Sequence, residues 1–339
     1  MGPTPIQEVS MPRHEPHEIS RRRFLRLLGA GGACLSLVPG RPSLFPAPGK
    51  EENPILVFGA VADAQYADAP PKGTRFYRRS PAKLARAVKE LDRHDLDFSI
   101  HLGDFIDRDF RSFDKMVPIW NSSRSPAFHV LGNHDFQVKD AEKARVVERL
   151  GLDILGPGKG YYSFRLKGWR FLVLNGNASS LQAHPKGSRA HQEAVKTLEA
   201  LKRKKAPNAM PWNGALGKAQ WAWLRKELDR AAGKKEKVIL FSHFPVYPPN
   251  VHNQWDDKEV VKLLDGREEV FAWIDGHNHA GNYGFHGGVH YLNLPGMVET
   301  KDTTAFARIE IHRDYLKVVG YGRTPSRKLP RGEEWEARR

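Results

Sequence analysis

Five short stretches of this chain end in residues that bind metals or move protons. They are Asp63-Ala64-Gln65, Gly103-Asp104-Phe105-Ile106-Asp107, Gly132-Asn133-His134-Asp135, Ser242-His243 and Asp275-Gly276-His277-Asn278-His279. Hydrolysis of a phosphate ester needs an activated water and neutralisation of charge on the phosphoryl group. Two divalent ions roughly 3.5–4 Å apart supply both. A carboxylate can bridge two ions, and Asp104 is the bridging candidate. Asp63, Gln65 and His279 suit one ion, and Asn133, His243 and His277 suit the other. Mixed oxygen and imidazole donors without thiolate suit Mn, Fe or Zn better than Cu(I) or an iron–sulfur cluster. His134 is the candidate to hydrogen-bond the phosphoryl oxygens or protonate the leaving group, so Asp104 and His134 form the catalytic set. Asp107 or Asp135 is expected to orient a histidine from behind. A lone His-x-His or Gly-Asp is usually only a turn; the five fragments together carry the reading.

Each fragment follows a strand-like apolar run: Ile55 to Ala62, residues 96 to 102, Phe128 to Leu131, Val238 to Phe241, and Phe271 to Ile274. Open α/β sheets bind ligands just outside the carboxyl ends of their strands, so five such ends can converge on one centre. Between them the sequence reads as helix from Ser80 to His94, with Ser80 as cap, Pro81 at the first helical position, and Leu84, Val88 and Leu91 on one face. Further helices are expected near Phe113 to Trp120, over 140 to 150, from Arg189 to Lys205 and from Leu216 to Ala232. Tyr161 to Leu166 and Trp169 to Asn175 flank Lys167-Gly168 as a hairpin. Strands are expected at His290 to Leu294, Ala305 to His312 and Tyr315 to Tyr321, with a loose charged tail from Pro325.

The chain has 339 residues and a net charge of +15. Residues 1 to 50 contribute +4 and residues 323 to 339 contribute +3, leaving +8 for the rest. That excess favours anionic substrates or an anionic surface without naming either. The single cysteine, Cys34, excludes an internal disulfide or a cysteine-based zinc site. Ser20-Arg21-Arg22-Arg23-Phe24-Leu25 precedes a weakly apolar run from Leu27 to Val38, which resembles a bacterial twin-arginine export signal. The run is shorter than the roughly 20 residues a bilayer span takes. The expected partners are therefore the twin-arginine machinery and a small phosphorylated substrate, with no specific nucleic acid and no stable membrane span in the mature protein. The expected location is periplasmic or extracellular, and cytoplasmic if the leader reading fails. Residues 1–50 read as leader and Pro-rich linker, 51–327 as one catalytic domain and 328–339 as a charged tail.

Together the fragments resemble the calcineurin-like metallophosphoesterase superfamily, whose pattern is Asp-x-His, Gly-Asp-x-x-Asp, Gly-Asn-His-Asp/Glu, a lone His, and Gly-His-x-His. Gln65 stands where most members have His. The manganese-dependent ADP-ribose/CDP-alcohol diphosphatase family carries Gln there. Other stretches are similar to that family: Gly73-Thr74-Arg75-Phe76-Tyr77-Arg78-Arg79-Ser80, Asn213-Gly214-Ala215-Leu216, Ser242-His243-Phe244-Pro245-Val246-Tyr247-Pro248, and the run through Gly281, Tyr283, His290 and Gly296 to Glu299-Thr300. The similarity spans about residues 55 to 327. It implies a four-layer α/β/β/α sandwich. It also implies Mn²⁺-dependent hydrolysis of nucleoside-diphosphate compounds by a metal-bound hydroxide. Arg75, Tyr77, Asn133 and His134 are the substrate contacts it suggests. Residues 178 to 212 are shorter and more basic than the family leads one to expect.

Three alternatives stand beside this. A purple-acid-type phosphomonoesterase would place Tyr where Asp107 stands, which argues against it. An exported phosphodiesterase of nucleic acid or phospholipid headgroups fits the charge, but no aromatic-basic interleaving for single strands is present. A non-catalytic binding protein would lack ligands, and none is missing.

Overall fold

The structure is a computed structural model and describes residues 53–156 and 159–331. The twin-arginine leader and most of the linker lie outside these residues. Two six-stranded sheets form the centre of the molecule. The first contains β1 (Leu56–Val61), β2 (Phe98–His101), β3 (Ala127–His129), β12 (Ala305–Ile311), β13 (Tyr315–Gly322) and β14 (Arg327–Pro330), in the order β14-β13-β12-β1-β2-β3. The second contains β4 (Tyr162–Leu166), β5 (Trp169–Val173), β8 (Lys237–Phe241), β9 (Val270–Asp275), β10 (Asn282–His286) and β11 (Val289–Asn293), in the order β10-β11-β9-β8-β5-β4. A two-stranded ribbon joins β6 (Ser179–Ser180) to β7 (Gly214–Ala215).

The site-bearing strands are parallel within each sheet: β1 with β2 and β2 with β3 in one, β8 with β9 in the other. Parallel strands put their carboxyl ends on one edge, so the five fragments collect there. The sheets meet through phenylalanines. Phe98 stacks on Phe58 at 4.8 Å and meets Phe171 of the facing sheet at 5.1 Å; Phe58 meets Phe241 at 5.7 Å. Rings at these separations add attraction beyond the area they bury. On β8, Ile239 and Phe241 join this inner core, whereas Val238 and Leu240 join an outer core under helices. That alternation is the period of a strand buried on both faces.

Helices α1 (Ser80–Leu91) and α2 (Ser112–Asn121) pack on the first sheet through Leu84, Val88, Phe113 and Trp120. A short helix α3 (Val146–Arg149) follows a 3-10 stretch, so residues 140 to 150 are helical as expected but mostly not α. Helix α4 (Arg189–Arg203) packs beside the ribbon. Helices α5 (Lys218–Gly233) and α6 (Asp257–Leu264) cover the second sheet with Leu224, Leu228, Val260 and Leu264. The result is the four-layer α/β/β/α sandwich, in a single domain.

Three local expectations are corrected. Ser80 does not cap α1, because a 3-10 turn, Tyr77–Arg79, runs straight into the helix and leaves the Ser80 hydroxyl buried instead. The tail is not loose from Pro325 onwards: Arg327–Pro330 is β14, paired antiparallel with β13 at the sheet edge, where a terminal proline costs no ladder bond. Strand β10 was not expected; its residues are half-buried and lack clean alternation.

Candidate metal centre

The loops after β1 and β2 are zipped together before any ligand is considered. Asp63 N donates to Gly103 O at 3.2 Å and Gln65 N to Asp104 O at 2.8 Å. This zipper holds strained backbone in place. Asp63, Gln65, Asp104 and His277 all have positive φ, at 51, 45, 53 and 67 degrees. Left-handed conformations at non-glycine residues cost on the order of 1 kcal/mol or more each and gather at functional sites. Gly132 brings the third loop in: a Cβ there would lie 2.0 Å from Asp104 N. Asp135 fastens the same junction, its Oδ1 accepting from Phe105 N and Ile106 N and its Oδ2 from Gly132 N. It holds main chain; of the two carboxylates named above, Asp107 is the one near a histidine, its Oδ1 3.2 Å from His134 Nδ1, with neither atom in a hydrogen bond among the described residues.

The candidate ligands fall into two groups that share Asp104: Asp104 with His243 and His277, and Asp63 with Asp104 and His279. In the first, His243 Nε2 lies 3.3 Å from Asp104 Oδ2, 3.1 Å from Asn133 Oδ1 and 3.1 Å from His277 Nδ1. In the second, His279 Nε2 lies 3.4 Å from Asp63 Oδ1. His134 Nε2 stands 4.0 Å from Asp104 Oδ2, on a partly open side chain.

The donor chemistry fits divalent ions. His243 Nδ1 is 2.9 Å from Leu102 O and His277 Nε2 is 2.9 Å from Asn213 Oδ1. With a proton on each of those nitrogens, the other two ring nitrogens face each other as lone pairs. Such an arrangement needs a proton or a cation between them. Gln65 gives a second sign: both atoms of its amide are buried without a hydrogen-bond partner among the described residues. A buried unpaired amide costs about 1–3 kcal/mol, which a cation on its oxygen would offset.

The electrostatics agree. Burial works against ionising Asp104, but His243, His134 and His277 hold its carboxyl well below the usual range. Burial also works against charging His243, yet Asp104 pushes its pKa up to about 9. His279 likewise reaches about 9 against burial, through Asp63 and Glu299. His277 lies well below the ordinary value, chiefly from burial and then from His243.

Known proteins are similar to this chain in sequence and in fold. A profile described as calcineurin-like phosphoesterase matches residues 57–281. The chain belongs to the calcineurin-like phosphoesterases. A rice protein named manganese-dependent ADP-ribose/CDP-alcohol diphosphatase is 30% identical over 79% of this chain and 92% of its own length. The human protein of that name is 26% identical over 80% of this chain and 92% of its own. A crystal structure described as a dimetal phosphatase, from Danio rerio, superposes with a TM-score of 0.74 at 26% identity, covering 83% of this chain and all of that one. This phosphoesterase is thus a hydrolase of phosphoester bonds.

The fold brings Asp63, Asp104, Asn133, His243, His277 and His279 together and sets Gln65 on the loop that carries Asp63, but it does not open every expected substrate contact. Tyr77 is 1% exposed and packs with Ala67, Ala69 and Val298, so its ring is closed to a ligand. Arg75 stays about one-third exposed, 3.6 Å from Glu299 Oε1. Two functional residues were missed. Glu299 Oε1 lies 2.7 Å from His279 Nδ1, and Asn213 holds His277 as described above. Both stand in stretches similar to the diphosphatase family, but nothing in their own types or spacing marks them.

Proposed function

We propose that this phosphoesterase is a Mn²⁺-dependent diphosphatase acting on nucleoside-diphosphate compounds such as ADP-ribose or CDP-alcohols. Two donor groups sharing the buried Asp104 carry the reading, in a chain that matches relatives of that name over nine-tenths of their length. Asp63, Gln65, Asp104 and His279 would hold one ion, and Asp104, Asn133, His243 and His277 the other. Mn²⁺ suits the shell containing Gln65, because a carboxamide oxygen is a hard donor. A bound ion pair neutralises phosphoryl charge and lowers the pKa of bound water. His134 has Nδ1 3.2 Å from Asp107 Oδ1 and Nε2 4.0 Å from Asp104 Oδ2; a protonated Nε2 would donate to a phosphoryl or leaving-group oxygen there. Glu299 and Asn213 aim their imidazoles by the hydrogen bond on the far nitrogen. Arg75, about one-third exposed and 3.6 Å from Glu299, would meet the substrate's anionic group.

A substrate panel on metal-stripped protein reloaded with Mn²⁺, Fe²⁺, Zn²⁺ or Mg²⁺ tests this. ADP-ribose or CDP-choline should show the highest kcat/KM, with Mn²⁺. A preference for bis-p-nitrophenyl phosphate or p-nitrophenyl phosphate would favour a phosphodiesterase or phosphomonoesterase instead. We further propose export through the twin-arginine route, supported by Ser20-Arg21-Arg22-Arg23-Phe24-Leu25. Replacing Arg21 and Arg22 by Lys should block export; unchanged export excludes that route.

A further inference from the structure

Lys83 takes no part in the chemistry above, yet it is 1% exposed on the sheet-facing side of α1. Its ammonium donates to three main-chain carbonyls more than 200 residues away: Met297 O at 3.0 Å, Glu299 O at 2.8 Å and Thr300 O at 2.5 Å. An ammonium has three donors, so its full capacity is spent on one loop. Burying that charge is costly unless its hydrogen bonds are met, and surface positions on α1 would have avoided the cost. Arg323 takes further carbonyls: Gly296 O at 2.9 Å and His279 O at 3.0 Å. Val298 O receives Phe76 N at 2.9 Å. Every carbonyl from Gly296 to Thr300 therefore has a donor, although the stretch lies outside the named helices and strands.

The amide side of the same loop is fixed to the metal-bearing end of β1. Met297 N donates to Ala62 O and Val298 N to Asp63 O, both at 2.9 Å. Between these two sets of bonds, Glu299 projects its carboxylate onto His279 Nδ1 at 2.7 Å. Without Lys83, three carbonyls around Glu299 lose their donor and must turn towards water. The main chain that aims Glu299 would turn with them.

We propose that Lys83 is a positioning residue for the ion held by Asp63, Gln65, Asp104 and His279. It fixes the 297–300 carbonyls, which keeps Glu299 on His279 and His279 Nε2 turned towards the ion. This rests on the two-ion reading above. The test titrates Mn²⁺ alone into metal-free full-length protein and follows both affinities by calorimetry and Mn²⁺ electron paramagnetic resonance. Wild type should bind two ions; if it does not, the two-ion reading itself fails. Lys83→Met keeps the length and apolar stem but removes the donors. It should weaken one ion roughly tenfold, the low end of the effect of losing a partner behind a metal ligand, and leave the other unchanged. The weakened ion should be the one lost in His279→Ala, and Lys83→Met should change nothing further in that background. If Lys83→Met does not fold, Arg323→Met should give the same selective loss from the more open side of the loop. Wild-type affinity for both ions, or equal weakening of both, overturns the proposal.

Discussion

The two halves of the centre are supported by different chemistry. His279 is backed by a carboxylate, Glu299, whose pKa is held down to about 2 against burial by hydrogen bonds from His279 and Thr74. His243 and His277 are backed by neutral oxygens, the Leu102 carbonyl and the Asn213 carboxamide. Asn213 cannot swivel, since its Nδ2 also donates to Asn208 O and Val251 O. A carboxylate behind an imidazole raises its basicity, which strengthens the donor but also its grip on a competing proton. A neutral amide fixes the ring without that charge. The centre therefore pairs one shell built on charge with one built on hydrogen-bond geometry, joined at Asp104.

Breaking the shared element should have the largest effect. Asp104→Asn removes the charge between the two ions and should lower kcat/KM at least roughly a hundredfold, the scale on which one charge-stabilising group counts. Metal analysis alongside steady-state kinetics checks it. Near-normal turnover with two bound ions would show that the bridge needs no charge.

Separating the halves comes next. Glu299→Gln keeps the size but removes the carboxylate behind His279, and Asn213→Leu removes the acceptor behind His277. Each should cost roughly 10–100-fold in affinity for its own ion. The contrast lies in pH: Glu299→Gln should make His279 easier to deprotonate, so its remaining metal affinity should vary less between pH 6 and 8 than in wild type. Asn213→Leu should leave that dependence in place. Identical pH profiles would mean that charge behind the imidazole is not what distinguishes the halves.

Much of this centre is legible from sequence because each ligand directly follows an apolar run that can only be a buried strand. Asp104 after Ser99-Ile100-His101-Leu102 and His243 after Val238 to Phe241 are such cases. The supporting residues are not legible in that way, because their partners are remote: 64 residues from Asn213 to His277, and 214 to 217 from Lys83 to its carbonyls. Asp135 shows the opposite failure. A carboxylate beside His134 reads as a partner for a side chain, but all three of its hydrogen bonds go to main-chain amides. Tyr77 differs in another way: the family resemblance suggests it as a substrate contact, while the fold uses it as packing. The edge strand β14, Arg-Lys-Leu-Pro, carries one buried apolar residue, Leu329, too few to show a period.

Protons compete with metal in both halves. His243 and His279 have pKa values raised to about 9, so in metal-free protein each is protonated at neutral pH. Ligand imidazoles must be neutral, so metal binding should release protons and weaken as pH falls from 9 to 6. The sign for the metal-free fold is opposite. A pKa raised from the ordinary 6.5 adds stability that is full below about 6.5 and is lost as pH rises through 9. The Tm gap between Mn²⁺-loaded and metal-free protein should therefore widen steadily from pH 6 to 9. A constant gap would place these protons elsewhere.

The smallest expected effect concerns Gln65. Its amide is buried and has no hydrogen-bond partner among the described residues, and its oxygen is a weaker donor than imidazole for Zn²⁺ or Fe but adequate for Mn²⁺ on the ion assigned to Asp63 and His279. That half should therefore hold the more exchangeable ion, and added Mn²⁺ should stimulate purified enzyme where Zn²⁺ does so poorly. Gln65→His supplies a nitrogen donor and should tighten this ion and broaden metal use. Gln65→Ala removes the donor and should raise the Mn²⁺ concentration needed for half-maximal activity, a few-fold where water can take its place. Backbone strain limits both variants, since residue 65 has a φ of 45 degrees. Gln65→Asn tolerates that conformation best but draws the amide back by one methylene, so it should behave like Gln65→Ala if reach to the ion matters. Metal titrations of the four proteins decide the matter. The same Mn²⁺ dependence in all of them would remove Gln65 from the ligands and leave that ion with Asp63, Asp104, His279 and water.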